Sequence, residues 1–338
     1  MRKFVGSCVG ALLGFGLLTA QAGPWPERQV TLIVPSAPGD GSDIAARLIG
    51  EKLQAALGQP VVVENRMGAG GVVGSAAAAK AVPDGYTLIM GNAGSHGIIP
   101  ATYKDVPYDA MRDFAPVSLV YRAPNIFLAS KKLPVKSLAE LVAYAKAHPG
   151  KLSFASGGNG SSAHMNSEYL KVLTGIEATH VPYRGSGPAL NDLVSGQIEF
   201  MAVNLPPAIG LAQSGQVTPL AVTTRKRAAA LPEVPTVEES GFPGYETVAW
   251  FGLLVPTGVP AEIVTRLHAE VVKACADQEI QKSSPCWAAT SSATHRPSSA
   301  PFSAPTSRAG RRSRRRPRSR SIRSERAPAL FPEQLVPA

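Results

Sequence analysis

Cysteine is almost missing from this sequence. Only Cys8, Cys275 and Cys286 occur in 338 residues, and none lies between the first two. No disulfide framework therefore holds the fold, and no cysteine set has metal-ligand spacing. Histidine is sparse too, with six in all; His96, His164 and His180 stand far apart, with no HExxH or other paired spacing. Neither a metal nor a cofactor is expected. Aromatic residues make up only 6% of the chain while the hydrophobic share is 44%, the balance of an Ala/Val/Gly-rich α/β protein. Signatures of common chemistries are lacking too. In GAGGVVG (68–74) Val73 takes the place of the third glycine of a dinucleotide-binding GxGxxG. There is no GxxxxGK[ST] phosphate loop, and no serine has glycine at both −2 and +2, which excludes a nucleophile elbow. No carboxylate pair suggests acid–base work, so an enzyme such as a secreted hydrolase is disfavoured, and none of the three histidines is expected to act as a catalytic base.

Long apolar runs are also absent. The longest early one, 9–18, falls short of the roughly 20 residues that span a bilayer. It follows Arg2 and Lys3 and precedes Ala20-Gln21-Ala22, the order of a secretory signal peptide (1–22) cut after Ala22. The mature protein is expected in the periplasm. The alternative, an N-terminal membrane anchor, requires a longer apolar stretch.

Positive charge is present but confined. The chain carries +10 overall, yet residues 283–338 contain 11 Arg, no Lys and only Glu325 and Glu333 as acids. That segment holds +9, and everything before it is nearly neutral. It is also dominated by Ser, Arg, Pro and Ala, without helical or strand periodicity. A disordered basic tail, a nucleic-acid or membrane-binding arm, and a frameshifted translation of GC-rich DNA all produce such a composition. The frameshift is favoured, because of the resemblance given below. A nucleic-acid partner is not expected, since secreted proteins seldom meet nucleic acid.

Between these ends the chain alternates strand and helix. VTLIV (30–34), VVV (61–63) and 86–90 read as buried strands, with helices over 44–57 and 75–81. The grammar recurs: a helix over 137–148 opened by the capping-box pair Ser137 and Glu140, a strand at 152–155, a helix over 162–173, a strand at 179–182, a helix over 188–195, and strands at 198–203 and 219–223. A long amphipathic helix over 260–282 carries Ile263, Leu267, Val271 and Cys275 on one stripe. Continuous apolar strands alternating with helices imply parallel sheets covered on both faces, and the length suggests about two domains.

Four polar, glycine-rich loops follow strands: 35–43 (PSAPGDGSD), 91–96 (GNAGSH), 156–162 (SGGNGSS) and 183–188 (YRGSGP). Three of them run directly into helices. Loops at the carboxyl ends of parallel strands are where open α/β sheets bind ligands. Glycine lets backbone N–H groups approach closely, and a helix N-terminus supplies unpaired donors with partial positive charge. Taken singly, each loop is an ordinary turn and cap. Together they point to an anion site that has little need of Lys or Arg.

At these loops the chain closely resembles the Bug-type extracytoplasmic solute receptors of tripartite tricarboxylate transporters. The matching stretches are VVVENRMGAGGVVGSAAAAKAVPDGYTLIM (61–90), DFAPVSLV (113–120), PVKSLAELVAYAKAHPGK (134–151), GNGSS (158–162), THVPYRGSGPAL (179–190), AVTTRKRAAALPEVPTVEESG (221–241) and WFGLLVPTGVP (250–260). The resemblance implies a type II periplasmic-binding (Venus-flytrap) fold, two α/β domains with a ligand cleft between them. One domain would combine 23–120 with 250–282, and the other would span 121–249. It further implies a small carboxylate ligand, membrane permease subunits as partners, a monomer and no catalysis. Carried over residue by residue, the ligand contacts would be Ser36, Ala37, Gly39 and Asp43 in the first loop and Asn92, Ser95 and His96 in the second. Asn159, Ser161 and Ser162 would follow in the third, with Tyr183, Gly185 and Asn204 beyond.

Three departures from the family pattern matter. Asp40 stands where the family usually has glycine, which disfavours highly charged ligands such as citrate unless the carboxylate points away. Val203 stands where Asp commonly precedes the residue matching Asn204. The tail 283–338 replaces a final strand and helix that pack back on the first domain, and reduced stability is expected from that loss. A ligand-sensing role, presenting the occupied protein to a membrane histidine kinase, would use the same cleft.

Overall fold

The computed structural model describes residues 25–278 and residue 280. The expected signal peptide, the end of the 260–282 helix and the tail 283–338 lie outside the described residues.

β1 (Val30–Val34) is buried except at Thr31, as its β-branched run predicts. α1 (Gly41–Leu57) starts three residues earlier than the apolar spacing suggests and turns Ala45, Ile49, Leu53 and Leu57 inward. It stops at Gly58, which takes the left-handed conformation at φ 69° and donates its N–H to Gln54. β2 (Val61–Asn65), α2 (Val72–Ala79), β3 (Thr87–Asn92), the single turn α3 (Ile99–Thr102) and β4 (Phe114–Ala123) complete this part of the chain. α2 begins inside the glycine-rich segment rather than at residue 75, after a short 3-10 turn at Ala69–Gly71.

The chain then crosses at Pro124 into β5 (Asn125–Ser130), α4 (Leu138–Ala147), β6 (Leu152–Ser156), α5 (Ser162–Thr174), β7 (Ala178–Pro182), α6 (Ser186–Ser195), β8 (Phe200–Asn204), α7 (Leu205–Gln213) and β9 (Val217–Val222). Ser137 caps α4 by accepting the Glu140 N–H at 3.1 Å. The Glu140 carboxylate returns to the Lys136 N–H at 2.7 Å rather than to that of Ser137. β10 (Ala249–Pro256) re-enters the first sheet, and α8 (Ala261–Ala276) packs on it.

Two five-stranded sheets result, ordered β2-β1-β3-β10-β4 and β7-β6-β8-β5-β9. Both are mixed rather than wholly parallel, which corrects the expectation from the strand composition. β10 runs antiparallel to β3 and β4, and β5 runs antiparallel to β8 and β9. The reason is the double crossing: a strand that returns from the other half enters its sheet in the opposite sense. The two crossings lie side by side, with Asn125 N–H donating to Thr223 Oγ1 and that hydroxyl donating to the Thr247 carbonyl.

One apolar cluster runs through both halves, from Leu32 and Leu53 by way of Tyr121 and Ile126 to Leu193 and Met201. α8 joins it through Ile263, Leu267, Val271 and Ala274. Leu267 is fully buried, and truncation to Ala there would cost about 2–5 kcal/mol. α8 is interrupted after Ala276, where Asp277 turns extended and its carboxylate meets Lys52 at 2.8 Å.

Candidate functional site

The carboxyl ends of β1 and β3 in the first sheet and of β6 and β7 in the second face a common cavity of about 550 Å³. This is the size of a small-molecule site, and its walls come from both halves. The first sheet supplies the loop 35–40, the glycine-rich turn 67–71 and the end of β3; the second supplies 157–163, 182–186 and the end of β8. Trp250 and Phe251 of β10 form an aromatic wall. Phe251 is fixed by stacking on Tyr121, with ring centroids 4.5 Å apart.

Both sides meet around the cavity. Gly70, at φ 68°, lies so close to the Asn159 carbonyl that a β-carbon would collide with it. Gly185, at φ 106°, packs on the Ala37 methyl in the same way. These two positions need glycine for backbone conformation and for space together.

Helices α1, α5 and α6 are among those that begin at the cavity wall, and the first amides of a helix have no intrahelical acceptor. At α5, Ser161 accepts the His164 N–H at 3.2 Å, while Ser162 and Ala163 line the cavity. At α6, Asp40 reaches across from the first half. Its Oδ1 accepts the Ser186 N–H at 2.9 Å and also the Ser186 hydroxyl. Its Oδ2 accepts the Ala37 N–H at 3.2 Å. Burial pushes the Asp40 pKa up, against the pull of those hydrogen bonds. At α1, Ser42 Oγ accepts Asn92 Nδ2 at 2.9 Å, which fixes the end of β3 against the helix.

Nine of the thirteen residues expected from sequence line this cavity: Ser36, Ala37, Asn92, Asn159, Ser161, Ser162, Tyr183, Gly185 and Asn204. The Ser36 hydroxyl oxygen is buried and has no hydrogen-bond partner among the described residues. Asn204 Nδ2 donates to Asn125 Oδ1 at 2.8 Å and reaches Ser162 Oγ at 3.4 Å, tying the crossing to the start of α5. The Tyr183 hydroxyl is held by Asp192 at 2.6 Å.

The other four expected contacts do not line the cavity. Asp43 is 3% exposed and braces the first loop, accepting from Gly39 N–H at 2.9 Å, Arg47 Nε at 3.0 Å and Asn65 Nδ2 at 2.9 Å. Burial alone would raise its pKa, but these donors hold it below the usual carboxylate value. Gly39 spends its N–H on that brace. Ser95 and Asn92 exchange hydrogen bonds, Ser95 N–H to Asn92 Oδ1 at 3.0 Å and Asn92 N–H to Ser95 Oγ at 3.3 Å. His96 is 2% exposed, faces Ser95 Oγ at 2.8 Å and packs edge-on to Phe114. Burial pulls its pKa down to about 3, so the ring is neutral.

His164 and His180 lie behind the third loop with their rings stacked at 3.9 Å. His164 Nδ1 accepts the Gly160 N–H at 3.2 Å, and His180 Nε2 meets Ser156 Oγ at 2.7 Å, the hydroxyl that also takes the Gly158 N–H. They support the loop and do not line the cavity. Sequence reasoning missed Met67, Trp250, Phe251 and Ser186 as wall residues. The GAGG run, a glycine-rich stretch following a strand, is the signal that points to Met67 and its neighbours. Among the described residues no cluster of three His, Cys, Asp or Glu could hold a metal, and no helix is long and apolar enough to cross a membrane.

Two α/β halves joined by a double crossing, with a polar, glycine-lined cleft between them, define a two-domain solute-binding receptor of the periplasmic type. The chain belongs to the tripartite tricarboxylate transporter family receptors, whose family model matches residues 45–284. Protein BugT of Bordetella pertussis is 35% identical over 287 residues, covering 83% of this chain and 88% of BugT. Among solved structures, Rpa4515 of R. palustris with adipate superposes at a TM-score of 0.76 with 40% identity, covering 78% of this chain and 89% of that one. MatC of Rhodopseudomonas palustris with bound malate gives 0.74 with 37% identity, over 77% and 88% respectively. Members of this family are receptors, not enzymes, and this chain is a receptor of that kind.

Proposed function

We propose that this receptor captures a small carboxylate in the cleft and delivers it to the membrane permease subunits of a tripartite transporter. The observation that carries the reading is the convergence of the α1, α5 and α6 N-termini on one cavity whose walls come from both halves. Backbone donors at such termini suit an anion without a cationic side chain. The carboxylates named in two solved relatives, adipate and malate, agree with this chemistry. The contacts assigned to the ligand are Ser36, Ala37, Asn92, Asn159, Ser161, Ser162, Tyr183, Gly185 and Asn204. The lobe formed by 23–120 and 250–282 closes on the lobe 121–249 about the paired crossings. Export by a signal peptide cut after Ala22 delivers the protein, as a monomer, to the periplasm.

A thermal-shift screen of the full chain against mono-, di- and tricarboxylates tests this. A ligand present at a hundred times its Kd stabilises the folded state by about 2.7 kcal/mol, which a melting curve resolves. A screen in which no carboxylate raises the Tm overturns the proposal.

A further inference from the structure

Among the described residues the charged side chains that line the cavity are Asp40 and Arg184, and Arg184 is exposed. Asp40 is committed at both oxygens: Oδ1 to the Ser186 N–H and hydroxyl, Oδ2 to the Ala37 N–H. A carboxylate on a helix N-terminus, held by backbone and hydroxyl donors, is what a bound anionic ligand would look like. Here the protein provides that anion itself. The donors at this end of the cleft are spent on the Asp40 carboxylate, which lines the cavity beside them. The apolar and aromatic part of the wall includes Met67, Val203, Trp250 and Phe251.

We infer that Asp40 is a specificity-determining residue: its carboxylate fills the anion position at the N-terminus of α6, so the cleft selects a ligand with one carboxylate and an apolar body over the dicarboxylate of the same length. This rests on the carboxylate reading above and narrows it. A second ligand carboxylate directed at α6 would meet like charge at short range and find no free donor, and like-charge juxtaposition costs several kcal/mol. The single ligand carboxylate is left the first turn of α5, where Ser162 and Ala163 line the cavity, and the Ser36 hydroxyl, which has no protein partner. The same contact spans the cleft, so Asp40 also fastens the two halves at Ser186 when they are closed.

Calorimetric titration of the full chain with two matched pairs, hexanoate with adipate and benzoate with terephthalate, provides the test. The proteins compared are the wild type, Asp40→Gly and Asp40→Asn. In the wild type the monocarboxylate of at least one pair binds more tightly than its dicarboxylate, by roughly tenfold or more. Both variants lose that preference because the dicarboxylate tightens. Asp40→Asn keeps the side-chain volume without the charge and carries the test if the glycine variant does not fold. A wild type that prefers the dicarboxylate overturns the inference, as does a mono-to-di ratio that is the same in all three proteins. Binding of no acid to any of them removes the carboxylate reading and the inference with it, whereas an unchanged ratio removes the inference alone.

Discussion

The N-termini of α5 and α6 open on the same cleft, follow adjacent parallel strands and are preceded by similar glycine–serine loops, yet the protein treats them differently. α5 is capped by its own Ser161, an uncharged local partner that leaves the first-turn amides facing the cavity. α6 has no side-chain cap of its own; Gly185 is its cap residue, and a carboxylate arrives from the opposite half instead. Two loops of one design thus end differently: one helix start is capped locally, and the other is capped by a carboxylate from the opposite half. The difference lies in a residue 146 positions away in sequence, which explains why the loops read alike in isolation.

The most severe way to break the comparison is to put a carboxylate at α5 as well. Ser162→Asp puts a carboxylate at the first residue of α5, on the cavity wall. If α5 is where the ligand anion sits, affinity for the best carboxylate falls by about a hundredfold or more, in line with the several kcal/mol that opposed like charges cost. The fold should tolerate the change, because acidic residues favour a helix N-terminus. Titration calorimetry beside a melting curve separates the two effects. Retained affinity in a folded variant would mean that the ligand seats elsewhere.

How far the sequence went is clearest at these loops. All four were legible, because several glycine-rich loops at strand ends recur in one chain. Nine of the thirteen residues expected there reach the cavity wall. The four that do not, Gly39, Asp43, Ser95 and His96, belong to the same short segments, and adjacency in sequence cannot tell a wall residue from its brace. Asp43 shows this: an acid in that segment suggests a contact, while its three donors make it a brace of the first loop. The strands also misled in one respect. β4, β5 and β10 are as apolar as their parallel neighbours, so composition could not reveal that the chain crosses twice and that each sheet is mixed. Trp250 and Phe251 were hidden for the same reason, since they reach the cleft only because β10 returns beside β3.

A milder test uses pH, which pushes the two helix starts in opposite directions. Behind α5, burial pulls the His180 pKa down to about 4, reinforced by neighbouring His164, with Glu168 opposing and Lys171 adding to the effect. A histidine held neutral in the fold contributes stability that is complete above its unfolded pKa near 6.5 and is lost as pH falls toward the folded value. Buried His96 adds a loss of the same sign. Asp40 works the other way: its raised pKa lets the folded protein take up a proton more readily, so acid returns some stability at α6. The Tm of the wild type should therefore fall between about pH 6.5 and 4. His180→Gln should flatten that fall by a few degrees, and Asp40→Asn should steepen it. A slope indifferent to His180→Gln would show that the stacked histidines do not brace the third loop through their neutral state.

The smallest expected effect compares two serines with the same local job. Ser137 and Ser161 both cap helices of the second half, each accepting the N–H three residues on, at 3.1 Å and 3.2 Å. Replacing such a cap by Ala costs about 1 kcal/mol, or roughly 2–4 °C in Tm for a chain of this size. Ser137→Ala and Ser161→Ala should thus melt alike. Ligand affinity should part them, because Ser161 lines the cavity and Ser137 does not. Losing the Ser161 cap frees the first turn of α5 and the His164 amide it holds, and a loosened turn presents its donors less well. A severalfold loss of affinity is expected for Ser161→Ala and none for Ser137→Ala, measured by titration at a temperature where both are fully folded. Equal affinity in the two would place the cap in the service of the helix alone, and would move the anion seat away from α5.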